Sequence, residues 1–184
     1  MKLTNPVSFR YPSKQTPRKH GPKGYSQHES YRPWLRDEFV FRCVYCLVRE
    51  QWGRHIGEFN IDHFVPQSII PDQLAYNNLV YSCHSCNLRK GSREIPDPTR
   101  YLLASNLRVM PDGTLVTQDP ETLALIDKMC LNSPEIVRWR LLWIRIIELA
   151  IEHDPPLYNS LMGYPENLPN LGNCRVPENS LPDG

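Results

Sequence analysis

The sequence lacks any run of about 18 apolar residues, the length a helix needs to cross a bilayer, so no helical membrane span is expected. Its first residues, MKLTNPVSF, also lack the apolar core of a secretory signal, which points to a cytoplasmic, reducing setting. No internal repeat is present. A large net charge is missing as well, but the formal value of +1 conceals a gradient. Residues 1–33 carry seven Lys/Arg and one acid (7 − 1 = +6), residues 34–100 balance (8 − 8 = 0), and residues 101–184 are acidic (6 − 11 = −5). A basic arm can follow a phosphate backbone by releasing its condensed counterions. It can equally be a solvated, disordered tail, and composition leaves both readings open.

What is present is an ordinary balance of 40% hydrophobic and 22% charged residues in 184, enough for one modest core with extensions. Eighteen prolines imply long irregular connections and coil at the ends. The chain accordingly reads as three parts: a basic, Pro-rich arm (1–33) with little to bury, a core (34–95), and a C-terminal portion (96–184) with a hairpin, helices and a Pro/Asn-rich tail.

Within the core, Pro33 can open a short helix, WLRDEFVFR. EFNIDHFV alternates like a strand that Pro66 closes, LVYSC reads as a second strand, and CHSCNLRKG as a short helix that Gly91 ends. Further on, RVMPDGTLVT suggests a small hairpin around its PDG turn. Asp119-Pro120 and Ser133-Pro134 each place a capping residue before a Pro at the first helical position. The second of these helices is apolar over most of its circumference, which predicts the most buried element of the chain. Pro155 and Pro156 are expected to end it and leave an irregular tail.

Four of the six cysteines form two pairs, CVYC (Cys43, Cys46) and CHSC (Cys83, Cys86). A two-residue spacing lets one turn aim both thiolates at one point, and two such turns complete a closed tetrahedral Zn²⁺ site. In a reducing compartment this reading outweighs disulfides. With four sulfur ligands the zinc has no open position for water, so its role is structural, clamping residues 47–82 as a loop. Cys130 and Cys174 lack such spacing and read as free thiols.

The stretch IDHFVPQS sets Asp62 beside His63 in an apolar run, where burying either group alone is costly. Asn87 follows the last cysteine directly, and Lys90 lies three residues on along the same helical face. Oxygen donors from Asp62 and Asn87 suit a hard ion such as Mg²⁺ or Mn²⁺, and a neutral His63 can take a proton from water. Neighbours in a regular strand face opposite ways, so one site for both Asp62 and His63 requires a bend or bulge. Alone, the pair would read as a packed polar pair.

The three segments CVYC, IDHFVPQS and NNLVYSCHSCNLRKG resemble the HNH nuclease family over about residues 43–93. The resemblance implies an α+β fold: a ββα-metal finger stapled by the zinc site, with a helical C-terminal extension and irregular Pro-rich ends. It implies a metal-dependent endonuclease acting on DNA, leaving 5′-phosphate and 3′-hydroxyl ends, in bacterial defence or DNA processing. By the same resemblance His63 is the general base, Asp62 and Asn87 are ligands of one catalytic divalent cation, Asn78 braces the loop, and Lys90 contacts phosphate. The family's final His is Asn87 here.

Other signals carry less. His84 can reach the metal or face solvent, and Arg89 and Arg93 can contact phosphate or stay solvated. Arg54 and His55 read as loop residues, Trp34, Trp139 and Trp143 as core. Arg138, Arg140 and Arg145 are expected to pair with Glu148, Glu152 or a partner. A nuclease subunit held inactive until a protein partner delivers substrate fits the acidic C-terminal portion, and double-strand cuts by a single-site enzyme would want a homodimer or two visits. The rival to an enzyme is a zinc knuckle that grips nucleic acid or protein without cleaving it, which needs none of Asp62, His63, Asn78 and Asn87.

Overall fold

The structure is a computed structural model that describes residues 7–12, 18–54, 56–103 and 107–174. His55 and the last ten residues lie outside these, as do parts of the expected basic arm. The fold is mixed helix and small antiparallel sheets, an α+β arrangement with a ββα core and four clustered cysteines. Among the described residues no helix is long and apolar enough to cross a membrane. Two compact units are present, one of residues 17–44, 48–95 and 165–184, the other of residues 1–16, 45–47 and 96–164.

The first unit holds α1 (Arg32–Glu38), β1 (Asn60–His63), β2 (Leu79–Ser82) and α2 (His84–Lys90). Pro33 opens α1 as its sequence predicts, but the helix stops at Glu38, short of the apolar FVF that follows. Val40 and Phe41 take φ of 52° and 56°, a left-handed conformation that bulky residues adopt only when their surroundings impose it. Here the Phe41 N–H is captured by the Arg36 carbonyl at 2.8 Å, and the Phe41 ring is buried. β1 and β2 pair antiparallel, with Asp62 opposite Val80 and His63 opposite Leu79. Leu79, Val80 and Tyr81 are fully buried, each aliphatic side chain contributing about 1.5–3 kcal/mol. Gly91 ends α2 at φ 56°, a cap position that glycine fills at little cost.

The same unit contains a buried ion pair. Both oxygens of Glu50, a residue with 0% exposure, accept from Arg36, at 3.0 and 2.8 Å, and one accepts from the Gly57 N–H as well. Arg36 also donates to the carbonyl and side chain of Asn167. The arm is more engaged than its composition predicts. Arg18 donates to the Leu79 carbonyl at 2.9 Å and lies over the rings of Phe39 and Tyr76, and Glu38 accepts the N–H groups of Lys19 and His20.

The second unit contains α3 (Pro98–Tyr101), β3 (Arg108–Val109), β4 (Leu115–Val116), α4 (Pro120–Lys128), α5 (Pro134–His153) and α6 (Pro155–Met162). β3 and β4 form the expected hairpin around the PDG turn. Two expectations are corrected. α5 buries only Arg140, Ile144, Ile147 and Ala150, while Leu142 and Leu149 stay exposed, so it is one-sided and not wrapped in core. Pro155 and Pro156 end α5 but begin α6, because Asp154 accepts the Leu157 N–H and caps a new first turn. Arg140 is fully buried and donates to the carbonyls of Gly113 and Leu131. Phe9, from the expected loose arm, is also fully buried and meets Trp139 edge to face.

Candidate metal and catalytic site

The two cysteine turns converge. The Sγ atoms of Cys43, Cys46, Cys83 and Cys86 all lie within 4.8 Å of one another, the spacing four thiolates need around one ion bound at about 2.3 Å. Backbone bonds hold the turns in place: Cys43 N–H to the Val48 carbonyl, and Val44 N–H to the Tyr81 carbonyl, each at 2.9 Å. Leu47 closes the first turn in a left-handed conformation, φ 59°, with its side chain buried. The donor chemistry and spacing fit a structural metal such as zinc. His84 is exposed and stands outside the cluster.

β1 carries Asp62 and His63 at its end, and both are buried, at 5% and 8% exposure. The ladder from Asn60 to His63 runs without the expected bulge; β1 instead ends at His63, and the charges of both Asp62 and Lys90 reach its ring, so the three groups stand within electrostatic reach of one another. Asp62 meets α2. Its Oδ1 lies 3.1 Å from Lys90 Nζ, and Lys90 is only 2% exposed, turned inward where a phosphate contact is expected of it. Asn87, three residues before Lys90 and half-buried, makes no side-chain hydrogen bond among the described residues.

His63 faces the loop that follows β1. Its Nε2 lies 2.8 Å from the Gln73 carbonyl, and a carbonyl only accepts, so the ring proton sits on Nε2 and the lone pair on Nδ1. Gln67 Nε2 lies 3.3 Å from the same nitrogen, a longer approach that leaves the 2.8 Å contact with the carbonyl to decide the tautomer. Burial holds the imidazole below its ordinary range; the charges of His28 and Lys90 push the same way, against the Gln73 carbonyl and Asp62. The ring is therefore neutral at pH 7.

Asn78 ties this loop down. Its Oδ1 accepts from Val65 N–H and its Nδ2 donates to the Val65 carbonyl, both at 2.9 Å, while its own carbonyl accepts from Phe64 N–H. One neighbour escapes sequence reasoning altogether: His28, whose ring stands edge-on to His63 with centroids 5.6 Å apart. It sits in a one-turn helix, His28–Tyr31, inside the stretch expected to be an arm, and no local pattern announces it. The cleft beside it runs between residues 26–29 and 67–74.

Compared with known proteins, residues 43–93 match the family model described as HNH endonuclease. No curated protein and no solved structure matches the chain. The matched segment is under a third of the chain and contains all four clustered cysteines together with Asp62, His63, Asn78, Asn87 and Lys90. It supports a nuclease-type function with nucleic acid as substrate.

Proposed function

We propose that this protein is a metal-dependent endonuclease that hydrolyses phosphodiester bonds in DNA through a finger within residues 34–95, flanked by a basic arm (1–33) and a C-terminal portion (96–184). The observation that carries the reading is the state of His63: neutral, fixed through Nε2 to the Gln73 carbonyl, with Nδ1 left to accept a proton from an attacking water. Asn78 keeps the loop behind it in register.

Asp62 and Asn87 would hold one Mg²⁺-like ion. Their donors are hard oxygens, Asn87 has no competing hydrogen bond among the described residues, and the place beside Asp62 already attracts a cation in the form of Lys90. Such an ion, when bound, neutralises charge on the scissile phosphate and steadies the leaving 3′ oxygen. The cysteine cluster, filled by Zn²⁺, is structural, and thiolates kept for metal suit a reducing, cytoplasmic compartment.

The test is purified protein with supercoiled plasmid and Mg²⁺ or Mn²⁺, beside His63→Ala. Nicking by the parent and not by the variant is expected. DNA retained but uncut by both would replace the enzyme with a zinc-knuckle binding module.

A further inference from the structure

Lys90 is a cation that the site already holds against Asp62. Its ammonium is 3.1 Å from Asp62 Oδ1 and close to the Gly91 carbonyl at 3.4 Å, with 2% of the residue exposed. A phosphate in solvent does not reach a lysine held there. The carboxylate it touches is also the one expected to bind the divalent ion, so two cations have claims on a single buried anion.

We propose that Lys90 is a placeholder counter-ion: it neutralises Asp62 while the catalytic cation is absent and must leave Asp62 for that cation to bind. The inference rests on the assignment of Asp62 as an ion ligand made above. The argument is electrostatic. A carboxylate with 5% exposure is costly without a partner, so some positive charge must accompany it for the strand to fold. An ammonium does this at one unit of charge. A divalent ion at the same oxygen would face that ammonium at short range in a poorly screened interior, and the two repel. The site therefore holds one or the other. Lys90 is on the last turn of α2, next to Gly91, where its long stem can swing outward without unwinding the helix. Its expected contact with phosphate then belongs to the loaded state, because the displaced ammonium needs a new anion.

The rival role for Lys90, an outer partner that braces Asp62 for the metal, predicts the opposite sign. Loss of such a partner typically weakens metal affinity about 10–100-fold. The experiment is calorimetric titration of Mn²⁺ alone into full-length, zinc-loaded protein, comparing the parent with Lys90→Met, Lys90→Arg and Asp62→Asn. Binding to Lys90→Met should tighten about tenfold, inside the usual span of coupling between linked sites, with Lys90→Arg near the parent and Asp62→Asn lost. A second measurement needs no variant. Acetylation of Lys90 by an N-hydroxysuccinimide ester, read by peptide mass spectrometry, should be slow in metal-free protein and rise when Mn²⁺ saturates. Weaker or unchanged Mn²⁺ binding by Lys90→Met, or unchanged labelling at saturating Mn²⁺, overturns the placeholder while leaving the metal site intact. Absence of Mn²⁺ binding by the parent overturns the Asp62 assignment and the placeholder with it.

Discussion

Asn78 clasps Val65 by both backbone groups, its carboxamide oxygen on the N–H and its carboxamide nitrogen on the carbonyl. With 5% exposure, the side chain and its bonds are shielded from solvent. Asn78→Ala should therefore lose two net hydrogen bonds and strand two backbone groups, about 2–3 kcal/mol in denaturant unfolding. Because Val65 lies two residues beyond His63, plasmid nicking should fall further than the stability loss alone explains. Asn78→Asp, which sets a carboxylate oxygen against the Val65 carbonyl in a buried site, should cost at least as much as Asn78→Ala.

The acid side of activity should be set by His63. A base works only when neutral, and burial first, then His28 and Lys90, hold this imidazole below its ordinary range near 6.5. The acid limb of kcat/KM should accordingly lie below pH 6.5; a limb at or above that value would exclude His63 as the base. The sign for stability is the same. The unfolded chain takes up the proton first, so this contribution is complete above about pH 6.5 and is lost as pH falls through the lower folded value. His28→Ala removes both a charge and a cover, and should move the limb upward.

Metal analysis should return one zinc per chain. Any single Cys→Ser change at Cys43, Cys46, Cys83 or Cys86 should abolish it and unfold the finger, since binding of a structural zinc supplies about 10–16 kcal/mol in small zinc domains. A brief exposure to EDTA should stop activity reversibly with the circular dichroism spectrum intact; prolonged strong chelation should collapse both.

Arg36 and Glu50 make a buried pair whose members depend on each other. Arg36→Met leaves Glu50, at 0% exposure, as an uncompensated charge, and should cost about 3–5 kcal/mol. Tyr81 reports on the same acid: its hydroxyl, already raised above its ordinary range by burial and by the bond to Glu50, should titrate closer to normal in Glu50→Gln, read by tyrosinate absorbance.

Local chemistry made much of the fold legible. Cysteine spacing, the N-cap–Pro pairs at Asp119 and Ser133, the PDG hairpin and the glycine after α2 each declare themselves within a few residues. The same Asp-Pro signal also marks α3 at Asp97 and α6 at Asp154, and in the second case a Pro pair that ends one helix opens the next. What stayed hidden depends on distant partners. Nothing around Lys90 in sequence reveals that Asp62 is 3.1 Å away, and nothing around His28 points to His63. The left-handed turn at Val40 and Phe41 runs against the preference of both residues, so only tertiary packing explains it. α5 departs from its expected burial for a related reason: an apolar count cannot say which side of a helix finds a neighbour.

The two thiol turns are made at different times. Cys83 follows Cys43 by 40 positions (83 − 43), so at ~5–20 residues per second the ribosome delivers the second turn roughly 2–8 s after the first. For that interval the nascent chain displays a half-built ligand set, able to hold an ion by two sulfurs only. A chain that ends before Cys86 thus yields no finger at all, and the site cannot be assembled piecemeal during its own translation.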